Sequence, residues 1–117
     1  MYPKPNNMTK VIETSKGLLK REFDIQGIQK FFSQHGFMFW SWGVSSFSNL
    51  MNKGLLMKVN GHHHKGYVLV VLDYSDTFDV YFISTHGNIV DQKHLVYIDM
   101  LFDVIDNRIE KIPEYVR

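Results

Sequence analysis

The sequence contains no cysteine, only three prolines and a net charge of only +1, and these features exclude several classes of protein. Without cysteine there is no disulfide framework, no thiolate zinc site and no cysteine nucleophile. Thirteen basic side chains stand against twelve acidic ones, so the chain lacks the basic excess from which affinity for phosphate backbones comes. We therefore do not expect nucleic-acid binding to be its main task.

Long apolar runs and catalytic motifs are missing as well. No stretch approaches the roughly 18 apolar residues of a membrane span, and the N-terminal "MYPKPNNMTK" lacks the apolar core of a secretory signal. We expect a soluble, cytoplasmic protein with no membrane partner. The chain has no G-x-S-x-G, Walker or His-Glu-x-x-His pattern, so we expect no cofactor and favour a protein that is not an enzyme.

The remaining composition is that of an ordinary globular domain. The chain has 117 residues, of which 44% are hydrophobic and 21% charged, which is enough for one domain with a real core. The prolines and asparagines near the N-terminus predict a flexible tail over residues 1–8. A single α+β domain is then expected over residues 9–117.

The first half of the chain predicts one helix and one buried strand. Asp24 is a good N-cap, and apolar residues follow it at helical spacing from Ile25 to His35, with Gly36 as the stop. The run "FMFWSWGV" is apolar on both parities, which is typical of a strand buried on both sides. The following "SSFSNLMNKG" is interpreted as a loop, whereas Thr9–Phe23 fits either a helix or an edge strand.

The second half predicts an antiparallel meander of strands at Leu55–Val59, His62–Tyr74 and Thr77–Ser84. Asn60-Gly61 is the strongest short-range hairpin signal, because both central residues of a type I′ turn need positive φ. A polar, irregular segment follows up to Leu95, with a turn at Gly87-Asn88.

The last predicted element is an amphipathic helix over Ile98–Ile112, ended by Pro113. Its acidic side carries Asp99, Asp103, Asp106 and Glu110, which form either a solvated face or a surface for a basic partner. The order of elements predicts an α+β fold, with an antiparallel meander of three to four strands. One helix from the N-terminal half and this C-terminal helix are expected to flank the sheet.

Histidines 62–64 are the first candidate site. If Asn60-Gly61 is a two-residue turn, His62 and His64 share one face of a strand, and a His-x-His pair can present two imidazoles to one metal ion. No third ligand is indicated by the sequence. We therefore prefer polar side chains at an exposed hairpin end, with a metal site at His62 and His64 as the alternative.

Asp73, Asp76 and Asp79 form a second candidate, because carboxylates at a spacing of three resemble calcium ligands. The segment lacks the D-x-[DN]-x-[DN]-G pattern and the late glutamate of a calcium loop. We interpret Asp76 as a turn residue and Asp79 as an outward strand residue.

Trp40 and Trp42 are the third candidate. On a strand they would share one face, and two tryptophans there exceed what a half-buried strand requires. Core packing is the competing interpretation. Since the two helix stripes cover a single sheet face, we expect the other face to meet Thr9–Phe23 or a second copy of the chain. Trp40 or Trp42 would then lie at a partner or self-association surface.

The segment "GLLMKVNGHHHKGYVLVVLDYSDTFDVYFI", followed by "VYIDMLFDVIDNRIE", resembles small bacterial α+β proteins of unknown function, often of mobile-element type. In these proteins a strand ends at a Val-Asn-Gly turn, a "DxYDVYF"-like strand follows, and an acidic amphipathic helix closes the chain. The resemblance covers Gly54 to Glu110 and implies an architecture without assigning a functional residue.

Three functions follow, in order of preference. The first is a non-enzymatic interaction module that binds an unknown protein partner or forms a homodimer. The second is a metal-dependent enzyme that uses the His-x-His motif. The third is single-stranded nucleic-acid binding through sheet aromatics such as Trp40, Trp42, Tyr67 and Tyr81.

Overall fold

A computed structural model describes residues 7–110 of the chain. Four helices and five strands lie in this range. In chain order they are α1 (Asn7–Lys16), α2 (Ile25–Ser33), α3 (Phe37–Trp40), β1 (Ser46–Asn49), β2 (Leu55–Asn60), β3 (Lys65–Leu72), β4 (Phe78–Ser84), β5 (Ile89–Val96) and α4 (Ile98–Ile109).

The strands form one antiparallel sheet in sequence order, β1-β2-β3-β4-β5. The α+β class and the central three-strand meander are therefore confirmed. The sheet has five strands rather than three to four, because β1 lies in the predicted loop and β5 in the segment predicted to be irregular. Both are edge strands, and most of β5 is exposed, so neither carries the apolar alternation that marks a half-buried strand.

The prediction of a strand over "FMFWSWGV" is wrong. Residues Phe37–Trp40 form the short helix α3, and the chain then turns through Gly43, whose φ is +65°. Phe39 and Trp42 are fully buried and stand three residues apart, which is one helical turn. A short apolar run on both parities fits a buried helical turn as well as a strand.

One face of the sheet packs against α2, α3 and α4, and we call it the three-helix face. Its core is a single apolar cluster to which Phe32, Phe39 and Trp42 contribute the largest side chains. From α4 come four buried residues, Leu101, Phe102, Ile105 and Ile109, at the spacing of a helical stripe.

The opposite face, which we call the α1 face, packs against α1 and the residues that follow it. Val11 of α1 is fully buried against a cluster that includes Leu69 and Ile83. The segment Thr9–Phe23, left open between helix and strand, thus begins as a helix. Its part up to Leu19 covers the second face of the sheet, whereas Phe23 packs on the three-helix face.

Some of the helix ends predicted from the sequence are found in the structure and others are not. The side chain of Asp24 accepts a hydrogen bond from the backbone N–H of Gly27 at 3.0 Å, which confirms the predicted N-cap. Helix α2 ends at Ser33, before the predicted stop at Gly36. The predicted end of the last helix at Ile112 and Pro113, and most of the predicted tail over residues 1–8, lie outside the described residues.

No helix within residues 7–110 is long and apolar enough to cross a membrane.

Candidate functional site

The three consecutive histidines lie in a loop and not on a strand. Strands β2 and β3 are paired up to Asn60 and Lys65, so Gly61 to His64 form the connection. Neither Asn60 nor Gly61 has a positive φ, which a type I′ turn requires at both central positions. The predicted two-residue turn is wrong, and so is the prediction that His62 and His64 share one strand face.

This histidine loop, residues 61–64, is bound to the C-terminal end of α4. Nδ1 of His62 contacts a carboxylate oxygen of Glu110. The backbone N–H of His63 donates to the carbonyl oxygen of Ile109 at 2.7 Å, and a guanidinium N–H of Arg108 donates to the carbonyl oxygen of His63 at 2.8 Å. The last carbonyl groups of a helix have no hydrogen-bond partner within the helix. The contacts with the histidine loop give one of these carbonyl groups a partner, and they also pair the charged side chains of Arg108 and Glu110 with groups of the loop.

The third histidine side chain is buried inside the fold. Nε2 of His64 donates to the carbonyl oxygen of Tyr67 at 3.0 Å, and its ring meets that of Phe82 edge-on, with the centroids 5.5 Å apart. Burial lowers the pKa of His64 below its ordinary value, which favours the neutral ring. Across residues 7–110, no group of three or more His, Cys, Asp or Glu side chains is arranged to hold a metal ion.

The two tryptophans are separated by the fold. Trp42 is fully buried, stacks on Phe102 with the centroids 4.8 Å apart, and donates its indole N–H to Asp106 at 2.9 Å. Trp40 is 64% exposed. Trp42 is therefore a core residue, and the prediction of an interaction surface is left with Trp40 alone.

The aromatic residues of the sheet offer no stacking platform to a nucleic acid. Tyr67 and Tyr81 are 6% and 5% exposed in the core of the α1 face. Burial raises the pKa of Tyr81. With Trp42 also buried, only Trp40 of the four aromatics in that alternative presents its ring to solvent, whereas binding of single strands relies on accessible faces of several rings.

Two of the three clustered aspartates converge on an ammonium group. Nζ of Lys20 donates to Asp73 at 2.5 Å and to Asp79 at 2.9 Å. The hydrogen bond to Asp73 and then that to Asp79 raise the pKa of Lys20, and Lys20, followed by Ser75, holds the pKa of Asp73 well below its usual range. Lys20 thus stands where a calcium ion would bind between these carboxylates.

Asp79 is not the outward strand residue that we predicted. It is 2% exposed and accepts a second hydrogen bond, from Nδ1 of His94 at 2.9 Å. The other ring nitrogen of His94 lies 2.9 Å from the side-chain oxygen of Gln92. Both partners of the buried carboxylate, Lys20 and His94, were missed, because nothing in the sequence pairs residues that lie this far apart along the chain.

A bulge in β5 directs His94 toward Asp79. Phe78 pairs with Val96 and Val80 pairs with Lys93, so two residues, His94 and Leu95, stand opposite Asp79. Leu95 takes up the extra length with a φ of +57°. A left-handed conformation costs a residue with a Cβ roughly 1–2 kcal/mol, and bulges occur where a strand re-aims a side chain.

Leu95 belongs to an exposed apolar group where β5 passes into α4. Leu95, Tyr97, Ile98 and Met100 are 46–68% exposed, and we call these four residues the junction surface. Tyr97 occupies the N-cap position of α4 without a side-chain hydrogen bond to the helix. A sequence signal for this surface existed, since "LVYID" puts a tyrosine where Ser, Thr, Asp or Asn usually caps a helix.

Two of the four acidic residues predicted on α4 form hydrogen bonds or ion pairs with other side chains of residues 7–110, and two do not. Asp106 accepts from Trp42, and Glu110 contacts His62. Asp99 and Asp103 have no ion pair or hydrogen bond with any side chain in the described part of the chain. These two carboxylates stand one helical turn apart beside the junction surface.

No protein-family model, no curated protein and no solved structure matches this chain, so its own residues carry the functional argument.

Proposed function

We propose that this protein is a non-enzymatic interaction module that binds another protein through the junction surface. The observation that carries the proposal is the concentration of locally unfavourable features there. An apolar residue is left-handed and exposed at Leu95, the helix N-cap at Tyr97 lacks its side-chain hydrogen bond, and Ile98 and Met100 face solvent. Side chains that lower stability in the backbone conformation they occupy are typical of functional sites.

The charges beside the surface define the chemistry of the partner. Asp99 and Asp103 stand at i and i+4 on α4, where like charges repel each other slightly. A partner with an apolar centre and lysines or arginines at its border would cover the junction surface and neutralise both carboxylates. Interfaces of this kind combine an apolar core with a charged rim.

Self-association through the same surface is less favoured. A two-fold pairing uses the same patch on both copies, so it would bring the unpaired carboxylates of Asp99 and Asp103 to an interface with their own copies. Like charges across an interface oppose association. We therefore assign the surface to a different protein rather than to a second copy of this chain.

A photo-crosslinking amino acid at position 97 tests the proposal in cells that produce the full chain. Position 74 is the matched control, because Tyr74 is also a highly exposed tyrosine, 72% by area, in the turn between β3 and β4. We expect one adduct of defined mass at position 97 and none at position 74. Asp99→Lys with Asp103→Lys should abolish it, because both charges are reversed.

Identical adducts at both positions, or an adduct that is insensitive to the two charge reversals, would contradict the proposal. An adduct with the mass of two copies of this chain would show that the partner is a second copy and not a different protein. The same experiment with Trp40→Ala shows whether Trp40 belongs to this interface, which stays a prediction.

A further inference from the structure

A groove of about 390 Å³ lies at one end of the sheet and shares no residue with the junction surface. Eight residues line it, namely Gly43, Ser45, Lys58, Val59, Asn60, Lys65, Gly66 and Thr85. Its volume falls within the usual range of small-molecule sites. Asn60 and Lys65 also line an adjoining pocket of about 320 Å³ that extends to His62 and Glu110.

The strand register puts the two lysines on one side of the sheet. Lys58 pairs directly with Tyr67, and Lys65 is two residues from Tyr67 on the same strand, so all three side chains leave the same face. Lys58 and Lys65 are therefore diagonal neighbours, about 7–8 Å apart at the level of the backbone. Both are exposed.

The two positive charges have no counter-charge in the groove. No carboxylate lines it, and neither Lys58 nor Lys65 has an ion pair or hydrogen bond with another side chain among residues 7–110. Lys20, in contrast, lies between two carboxylates. Two ammonium groups at this separation repel each other, and a bound anion would relieve the repulsion.

Glycines keep part of the wall free of side chains. The backbone at Gly43 and Gly66 has φ of +65° and +145°. A Cβ built on Gly43 would lie 2.6 Å from the carbonyl oxygen of Asn60, and one on Gly66 would lie 2.3 Å from that of Ile83. Both positions therefore require glycine, because a Cβ would overlap the neighbouring backbone that forms this wall of the groove.

We propose that this groove binds a phosphorylated small molecule whose phosphate monoester lies between Lys58 and Lys65. The two negative charges of a phosphate monoester dianion balance the two ammonium groups, whereas the single charge of a carboxylate balances only one of them. The hydroxyl residues Ser45 and Thr85 and the amide of Asn60 supply further donors for its oxygens. The groove and its adjoining pocket exceed the size of inorganic phosphate, so the body of the ligand extends past Asn60 and Lys65.

Thermal unfolding of the full chain at constant ionic strength tests this, with inorganic phosphate, adenosine monophosphate, adenosine and acetate as probes. Phosphate and the nucleotide should raise Tm, by several degrees at a hundredfold excess over Kd. Adenosine and acetate should not. The double variant Lys58→Gln, Lys65→Gln should lose the shift while keeping its circular dichroism spectrum.

The matched control is Lys16→Gln with Lys30→Gln, which removes the same charge from exposed lysines on α1 and α2. The control should keep the wild-type shift, because neither residue lines the groove. If both double variants lost the Tm shift equally, the shift would depend on the net charge of the protein and not on this groove, and the proposed site would be wrong. Absence of any shift, or binding of single-stranded oligothymidylate without binding of the nucleotide, would overturn it as well.

Discussion

The two ends of α4 are built in opposite ways. At its C-terminal end the histidine loop fits tightly against the last turn, with Gly61 in contact with Ile109. The N–H of His63 binds a helix carbonyl, and Arg108 binds the loop in return. The local features of this end serve packing and hydrogen bonding.

The N-terminal end of α4 lacks comparable hydrogen bonds and ion pairs among the described side chains. Tyr97 gives the helix no side-chain cap, Leu95 holds a left-handed backbone conformation, and Asp99 has no partner among the described side chains. The same helix on the same sheet thus has one end that stabilises the fold and one that does not. The bulge at Leu95 aims His94 at Asp79, but an exposed leucine at this left-handed position and a tyrosine at the N-cap do not serve packing. We attribute these two side chains to the interaction surface, and the predictions below test that contrast.

The largest expected effect is at the C-terminal end of α4. In Gly61→Ala the added Cβ would lie 2.0 Å from Cγ2 of Ile109, which is fully buried. We expect the free energy of unfolding to fall by about 1–3 kcal/mol, as in other overpacked sites. Urea titration measures it.

Gly17→Ala is the control for this substitution, because a Cβ there meets only ordinary contacts, 3.6 Å or more away, and no positive φ strains it. It should be neutral or slightly stabilising. If both variants lose the same stability, the tight fit of the histidine loop on α4 is wrong.

The second prediction concerns pH and the same loop. Burial lowers the pKa of His64 in the folded state, so the unfolded chain takes up this proton first as the pH falls. Stability due to His64 is therefore complete above the unfolded pKa of about 6.5 and decreases below it. The slope is at most about 1.4 kcal/mol per pH unit for one proton.

Denaturant titrations between neutral and mildly acidic pH measure this slope. In His64→Gln the side-chain amide can still donate to Tyr67 but does not titrate, so the slope should be smaller. His63→Gln, which removes an exposed histidine side chain from the same loop, is the matched control. A slope equal in all three proteins would show that His64 is not the titrating group.

The third prediction concerns the N-terminal end of α4. Tyr97 has φ −78° and ψ 156°, the extended conformation of an N-cap residue, so serine can cap the helix there without moving the backbone. We expect Tyr97→Ser to raise the free energy of unfolding by about 1 kcal/mol. Tyr74→Ser, at an exposed position outside any helix, should change it by less than about 0.5 kcal/mol.

The sequence predicted the elements whose residues alternate or recur strongly. The buried meander and α4 carry such patterns, and Asp24 carries a cap signal, so their positions were confirmed. Strand β5 was missed because its two bulges interrupt the alternation. The run through Trp40 and Trp42 was misassigned because a buried helical turn and a buried strand share its composition.

The candidate sites depended on which distant segments meet, and the sequence does not specify this. His62 and His64 were assigned to one strand face from a turn signal at Asn60-Gly61, yet Gly61 is needed for close approach to α4 rather than for a turn. Lys20 and Asp79 form an ion pair although they lie 59 positions apart in the sequence. Only tertiary packing brings such residues together.

The smallest expected effect on stability is at Leu95. Leu95→Gly removes the left-handed strain, which costs roughly 1–2 kcal/mol, but adds the backbone entropy of glycine, roughly 0.5–1 kcal/mol. The midpoints of these two terms leave a net gain of about 0.75 kcal/mol. Leu95→Ala keeps the strain and removes the same exposed side chain, so it should show no gain.

The most direct test of the central claim measures two quantities on the Leu95→Gly protein, its free energy of unfolding and the yield of the photo-crosslink at position 97. Our account predicts that the folded chain becomes more stable while the crosslink to its partner weakens, because glycine fits the left-handed bulge without strain, whereas the leucine side chain there serves binding. A loss of stability together with an unchanged crosslink would contradict it.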